Sequence, residues 1–368
     1  MSTDVVVMQE IPLSNGYCLG HATLNHEASL NALSGDMIER LLPQLIEWEA
    51  NPQIAAVWLD GMGERAFCAG GNVVQVYHDM VDARLLSHDE LPDVPAAQQY
   101  FSMEYELDLR LHQYTKPLIV WGSGIVMGGG MGLLQGARFR MVTESSRLAM
   151  PEITIGLYPD VGASWFLNRT PGHLGLFLAL TGAQFNATDA LFAGLADRFA
   201  LSTDRNAILQ ALGKLAWTGN PRVDEVLIDH TLKGFEQQAT DSRPEGNLQP
   251  RFEQINSLMD HVDLASIYHA ITTLEGTDAW LTRAANTLRN GSPASAVLIY
   301  EQLRRAKYWS IEETFDQELI VSTQCCRHGE FQEGVRALLI DKDRQPNWRF
   351  KTIDAVDPAY IQAHFIAP

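Results

Sequence analysis

The stretch from Pro117 to Ala137 carries no charged side chain and holds seven glycines between Gly122 and Gly136, three of them consecutive at Gly128-Gly129-Gly130. Its length and lack of charge would suit a membrane span, and Gly124, Gly128, Gly132 and Gly136 repeat at the small-x-x-x-small spacing of packed transmembrane helices. Against that, each glycine costs about 1 kcal/mol relative to alanine in a water-exposed helix. So dense a run reads instead as backbone that must pass close to something.

Similar signals flank it. Ala66-Phe67-Cys68-Ala69-Gly70-Gly71-Asn72 precedes it, and Met150-Pro151-Glu152 running to Pro159-Asp160-Val161-Gly162 follows. Each adjoins a strand-like run, and glycines there let backbone N–H groups point into a cleft, as a site that holds a developing oxyanion requires. One Gly-Gly pair alone would indicate only a tight turn. No G-x-x-x-x-G-K-[ST] loop or dinucleotide fingerprint explains these glycines by nucleotide phosphates, and no G-x-S-x-G elbow supplies a serine nucleophile. If the chemistry is acyl transfer, a carboxylate must perform it.

Helix and strand signals alternate over the first two hundred residues. Asp4–Gln9 and Cys18–Leu24 read as a hairpin across Ser14-Asn15-Gly16. Ser34 caps a helix with Met37, Ile38, Leu41, Leu42, Leu45 and Ile46 at helical spacing, and Pro43 is expected to kink it. Ile54–Leu59 and Leu118–Trp121 are short apolar runs of the kind buried in a layered α/β core. Two polar stretches, 82–95 and 237–250, read as exposed connections, the second as a domain boundary. Beyond it the pattern is helical, with Ser292-Pro293 as a cap and first-turn proline and Ser310-Ile311-Glu312-Glu313 as a capping box.

A chain of 368 residues is long enough for about two domains. Its 45 acidic and 27 basic residues give a formal net charge of −18, a field that opposes nucleic acid and anionic membrane as partners. Cys18, Cys68, Cys325 and Cys326 have no C-x-x-C spacing, and none of the eleven histidines shows ligand spacing, so no metal site is expected. Met1–Leu13 has neither a basic start nor a small-residue cleavage site, and a cytoplasmic protein is expected from it.

These motifs together resemble the crotonase (enoyl-CoA hydratase/isomerase) superfamily, and within it the branch that hydrolyses thioesters. The likeness begins near Leu24-Asn25 and Leu30-Asn31-Ala32-Leu33 and reaches Glu333-Gly334-Val335-Arg336-Ala337. Its most specific parts are Phe67–Gly71, Met127–Leu133, and MPEITIGLYPDVGASWFLNR from Met150 to Arg169 followed by Ala179-Leu180-Thr181-Gly182. The resemblance implies an α/β fold, a spiral of ββα units over 1–200 completed by a helical C-terminal region over 201–368. It implies an acyl-CoA substrate, 3-hydroxyisobutyryl-CoA of valine breakdown, and no metal or redox cofactor. A homo-oligomer is possible within the superfamily.

By motif position the resemblance assigns the oxyanion hole to the N–H groups of Gly71 and Gly129. Glu152 becomes the catalytic carboxylate, as base or as nucleophile, and Asp160 a second acid near the substrate hydroxyl. Glu104 matches a glutamate at the substrate site, although in a helix-like stretch a surface salt bridge is the ordinary alternative. Gly132 stands where hydratases carry a second glutamate, so hydratase action by a two-glutamate route is disfavoured; enoyl-CoA hydratase/isomerase chemistry and non-catalytic acyl-CoA binding are the competing readings. Asn72 stands where an aspartate usually closes its motif, and His26-Glu27 where a basic residue is common. CoA phosphates on so acidic a chain need a local basic rim. The Michaelis constant for CoA esters is therefore expected to rise with ionic strength, and a flat response in steady-state kinetics would count against that anchoring.

Overall fold

The computed structural model describes residues 4–87, 91–274, 276 and 278–368. They form two compact units, each assembled from three stretches of chain. One comprises Met1–Gly71, Glu106–Leu148 and Phe185–Gln249; the other comprises Asn72–Tyr105, Ala149–Gln184 and Pro250–Pro368. The polar segment expected to mark a boundary ends where the first unit ends.

The first unit holds the strands. The hairpin forms as expected: β1 (Val6–Pro12) and β2 (Cys18–Leu24) are antiparallel, with Val6 opposite Leu24 and Pro12 opposite Cys18. The turn between them uses left-handed backbone at Asn15 and Gly16, the residue types that tolerate it best. After α1 (Gly35–Ala50), β3 (Ile54–Gly61) lies parallel to β2. Next come β4 (Ala66–Cys68), α2 (Val73–Leu86) and α3 (Pro95–His112). They are followed by β5 (Leu118–Gly122), β6 (Ile125–Met127), α4 (Gly129–Gln135) and β7 (Phe139–Thr143). The last strands are β8 (Arg147–Ala149), β9 (Phe185–Asn186) and β10 (Arg198–Ala200). Six form a sheet in the order β1-β2-β3-β5-β7-β10, and four a smaller sheet in the order β4-β6-β8-β9.

Burial explains the sequence patterns. Seven of the eight residues of β3 are buried, the signature of a parallel strand covered on both faces. Trp58 and Trp121 from neighbouring strands stack with ring centres 5.6 Å apart, in a cluster with Met141, Ile208, Trp217, Ile228 and Leu232 that seats helices Arg205–Leu212 and Pro221–Ala239 on the sheet. Ser34 caps α1 by accepting from the Met37 N–H, and Pro43 sits on the exposed side of a helix that continues through it. The uncharged glycine run is not a span: it supplies β5, β6 and α4, and no helix among the described residues is long and apolar enough to cross a membrane.

The second unit is mainly helical. Ser292 and Ser310 cap their helices as the sequence indicates, Ser310 in a full capping box with Glu313. Of the connection expected over 82–95, residues 82–86 are instead the last turn of α2, and residues 88–90 lie outside the described residues. All four cysteines are free, and all but Cys18 are buried.

The glycine run is fixed by contact at its centre. A Cβ on Gly130 would lie 2.2 Å from the Cys68 carbonyl oxygen, far inside van der Waals contact. Gly130→Ala should therefore lower the unfolding free energy by about 1–3 kcal/mol, as overpacking does; urea denaturation reads the loss, and a change below about 0.5 kcal/mol, the size of a neutral surface substitution, would show that the two segments can part.

Candidate active site

The first unit places the two glycine loops side by side. β4 and β6 pair in parallel, Ala66 with Ile125 and Cys68 with Val126, so the segments leaving their carboxyl ends emerge together. One is Ala69-Gly70-Gly71, the other Gly128-Gly129-Gly130. Gly70 (φ +121°) and Gly128 (φ +48°) adopt backbone conformations that a side chain resists. Gly129 begins α4, so its N–H has no partner within the helix. Gly71 forms an isolated parallel bridge with Leu33, and the Leu33 N–H donates to the Gly70 carbonyl at 2.8 Å.

Asn31, whose role no motif announces, secures this arrangement. It is fully buried in left-handed backbone (φ +55°), its Nδ2 donates to the Met62 and Ala66 carbonyls, and its Oδ1 accepts from the His26 N–H. An asparagine is the residue type that accepts left-handed backbone while bonding locally.

The second unit gathers the acids. Glu152 opens the single turn Glu152–Ile155, is 5% exposed, and its Oε2 is buried without a hydrogen-bond partner among the described residues. Two close approaches fix the turn. A Cβ on Gly156 (φ +72°) would lie 2.3 Å from the Glu330 carbonyl oxygen, and one on Gly334 would lie 2.2 Å from the Ile155 carbonyl carbon. The glycine of the Glu333-Gly334-Val335 motif is thus required by contact.

Asp160 is buried, and its Oδ2 lies 2.7 Å from the Tyr105 hydroxyl. The next residue, Val161, has φ +54°, a left-handed backbone that costs a β-branched residue on the order of 1–3 kcal/mol. Glu318, fully buried on helix Ile311–His328, holds that loop: its two carboxylate oxygens accept from the Gly162 N–H at 2.7 Å and the Ser164 N–H at 3.0 Å. Ser322, one helical turn later, lies 2.6 Å from the Tyr105 hydroxyl and 3.0 Å from that of Tyr158.

Glu104 resolves in favour of the interior. It is 2% exposed on α3, accepts from Tyr100, and has one oxygen unpartnered among the described residues; no surface salt bridge forms. The Tyr100 hydroxyl in turn accepts from the Asn72 N–H, so Asn72 contributes its backbone, and its side chain does not cap α2.

Desolvation governs the titration of these groups. Burial, reinforced by the charge of Asp160, pushes Glu104 and Glu152 well above the ordinary carboxylate range. Burial raises Asp160 to about 6, even though the Tyr105 hydroxyl favours its ionised form. It also raises Glu318 to about 8 against the two N–H donors. The residues expected from sequence therefore fall into two sets, Gly71 with Gly129 on neighbouring loops of the first unit, and Glu104, Glu152 and Asp160 interacting within the second. Tyr105, Glu318 and Ser322 carried no sequence signal, and Tyr158 stood inside the Met150–Arg169 run without an assigned role. No group of three or more His, Cys, Asp or Glu suited to a metal ion occurs among the described residues.

A carboxyl that ionises near 3.8 when unfolded but near 6 when folded stabilises the fold fully below the lower value, and that stability is lost as pH rises to the higher one. Asp160→Asn should remove that part of the pH dependence. Denaturation at pH 4 and at pH 6.5 is expected to give a decline smaller than wild type by on the order of 2–3 kcal/mol; equal declines would contradict the buried-acid description.

Comparison with known proteins bears on this arrangement. A family model described as enoyl-CoA hydratase/isomerase matches residues 19–365. "3-Hydroxyisobutyryl-CoA hydrolase, mitochondrial" of Xenopus tropicalis is 35% identical over 365 residues, covering 99% of this chain and 91% of its own length. The human protein of the same name is 32% identical, covering 99% and 90%. "Small ribosomal subunit protein mS47" of Neurospora crassa is 33% identical, covering 95% and 70%. Among solved structures, a carnitinyl-CoA dehydratase from Mycobacterium thermoresistibile superposes with a TM-score of 0.85 at 31% identity, covering 100% of this chain and 97% of its own. The expected cytoplasmic location does not stand, because the Xenopus and human relatives are designated mitochondrial; the composition of a short terminal stretch was too weak a cue to assign a compartment. The fold, the spacing of the motifs and a match across nearly all of its length make the chain a member of the enoyl-CoA hydratase/isomerase (crotonase) family.

Proposed function

We propose that this protein hydrolyses the thioester of 3-hydroxyisobutyryl-CoA, releasing 3-hydroxyisobutyrate and CoA, in valine breakdown. The observation that carries the reading is the pair of buried acids on one short segment, Glu152 and Asp160, in a chain whose similar relatives bear that activity in their names. In this reading the thioester oxygen accepts from the N–H groups of Gly71 and Gly129. Donors of this kind each contribute about 2.7–4 kcal/mol to barrier lowering in acyl transfer. Glu104 contacts the substrate.

Glu152, once ionised, either draws a proton from the attacking water or attacks the carbonyl carbon itself to give an anhydride that water then opens. In both routes the C–S bond breaks with its electron pair on sulfur, and Asp160 in its acid form gives that sulfur a proton. Water supplies the remaining atoms, so the reaction calls on no metal or redox cofactor. Label found in Glu152 after a single turnover in ¹⁸O-labelled water identifies an anhydride opened at the Glu152 carbonyl, because general-base attack labels only the released acid.

A second reading is acyl-CoA binding without turnover; a relative of similar identity is named as a ribosomal subunit protein and not as a hydrolase. Glu152→Gln distinguishes them. CoA release from 3-hydroxyisobutyryl-CoA, followed as free thiol, should fall by at least about 100-fold, the usual share of a general base, while calorimetric binding of the ester stays near wild type. Equal thiol release by the variant would sink the hydrolase assignment. Crotonyl-CoA hydration by the wild type would favour hydratase chemistry instead.

A further inference from the structure

The hydroxyls behind Asp160 form a series with four links. Asp160 Oδ2 lies 2.7 Å from the Tyr105 hydroxyl, which lies 2.6 Å from Ser322 Oγ. Ser322 Oγ lies 3.0 Å from the Tyr158 hydroxyl, which lies 2.9 Å from the backbone carbonyl oxygen of Glu318. All four links have hydrogen-bond length, and each needs one proton. The last oxygen is a carbonyl and only accepts, so Tyr158 must spend its proton there. Ser322 does not divert its own proton to the carbonyl one helical turn back, as neighbouring Thr323 does at 2.7 Å to Leu319.

Three hydroxyls carry three protons for four links. With Asp160 ionised, Tyr105 donates to it, Tyr158 donates to the carbonyl, and Ser322 satisfies only one of its two tyrosine neighbours. One buried oxygen–oxygen contact is then left without a proton. With Asp160 protonated, every link is made and all donors point the same way: Asp160 to Tyr105, Tyr105 to Ser322, Ser322 to Tyr158, Tyr158 to the carbonyl. Aligned chains of this kind strengthen one another.

We propose that Ser322, together with Tyr158, is a positioning residue that favours a proton on Asp160 by completing this one-way chain through the Tyr105 hydroxyl, which by itself would favour the ionised form. The role of that proton in turnover rests on the hydrolase reading; the protonation itself does not. The groups facing Asp160 agree. Glu104 and Tyr105 on α3, Glu152 and Tyr158 on its own segment, and Glu318, Cys325 and Cys326 on helix Ile311–His328 all interact with it, and none is basic. Burial keeps both tyrosines neutral far above pH 7, so they hold the protons they are assigned. Turnover then needs Asp160 to hold its proton while Glu152, which burial pushes well above the usual carboxylate range, gives its own up, and the chain favours the first of these.

The test reads the Asp160 carboxylic-acid stretch by infrared difference spectroscopy against Asp160→Asn, titrated from pH 4 to 9. Ser322→Ala lets Tyr105 donate to ionised Asp160 without leaving any oxygen unpaired, so the midpoint should fall by about one pH unit, equivalent to about 1.4 kcal/mol. Tyr158→Phe should shift it the same way, and Ser322→Thr, which keeps the hydroxyl, should restore it. The alkaline limb of kcat/KM for thioester hydrolysis should move in step, with KM little changed. An unmoved midpoint in Ser322→Ala or, should that variant not fold, in Tyr158→Phe with native near-ultraviolet circular dichroism overturns the proposal. So does a wild-type Asp160 already ionised at pH 5. A shifted midpoint in a protein that hydrolyses no CoA ester would uphold the proton chain and defeat the hydrolase reading.

Discussion

Four carboxyl groups of the second unit, Glu104, Glu152, Asp160 and Glu318, are buried, and none is ion-paired among the described residues. Removing a carboxylate from water without a countercharge is costly, and the usual outcome is that the group keeps its proton. The surrounding structure answers that cost by supplying hydroxyls and N–H groups in place of lysines and arginines. Tyr100 serves Glu104, the Gly162 and Ser164 N–H groups serve Glu318, and Asp160 faces the Tyr105 hydroxyl, which can either give or accept a proton. Neutral donors satisfy the oxygens without fixing the charge, which leaves the acids free to exchange protons.

Asp60 in the first unit shows the opposite solution. It is fully buried as well, yet it accepts from His21, Thr23, Trp58 and Arg205. Burial pushes its titration up, but His21 and Arg205 together with the hydrogen bonds outweigh burial and hold it below the usual carboxylate value. Asp60 is held as an anion by Arg205 and a full set of hydrogen bonds; the acids near Asp160 have no such cation among the described residues. That contrast separates a carboxylate fixed as an anion from carboxyls whose surroundings let them hold a proton.

Much of this was legible in the sequence wherever the signal was local. Ser34, Ser292 and Ser310 announce their helices, Ser14-Asn15-Gly16 its hairpin, and the run from Met150 to Arg169 carries Glu152 and Asp160 together. What escaped was remote. Ser322 lies 217 residues from the tyrosine it contacts, and Glu318 sits 156 residues from the loop it holds. On an amphipathic helix a serine and a glutamate one turn apart look like an ordinary polar face. Glu104 was ambiguous for a related reason, since helical periodicity fixes spacing and leaves open which neighbours a face will meet. Gly334 and Asn31 stood inside recognised motifs, but only the close approach to Ile155 and the pair of carbonyls at Met62 and Ala66 explain why those residue types are there.

The turn that carries Glu152 is completed by the Glu330 carbonyl and by Gly334, almost 180 residues further along the chain. A ribosome that has made the first three hundred residues has made every acid near Asp160 except Glu318, yet the turn still lacks the wall against which it closes. The length of chain between the turn and its support makes its closure one of the slower events of folding, since contacts of such long separation form late.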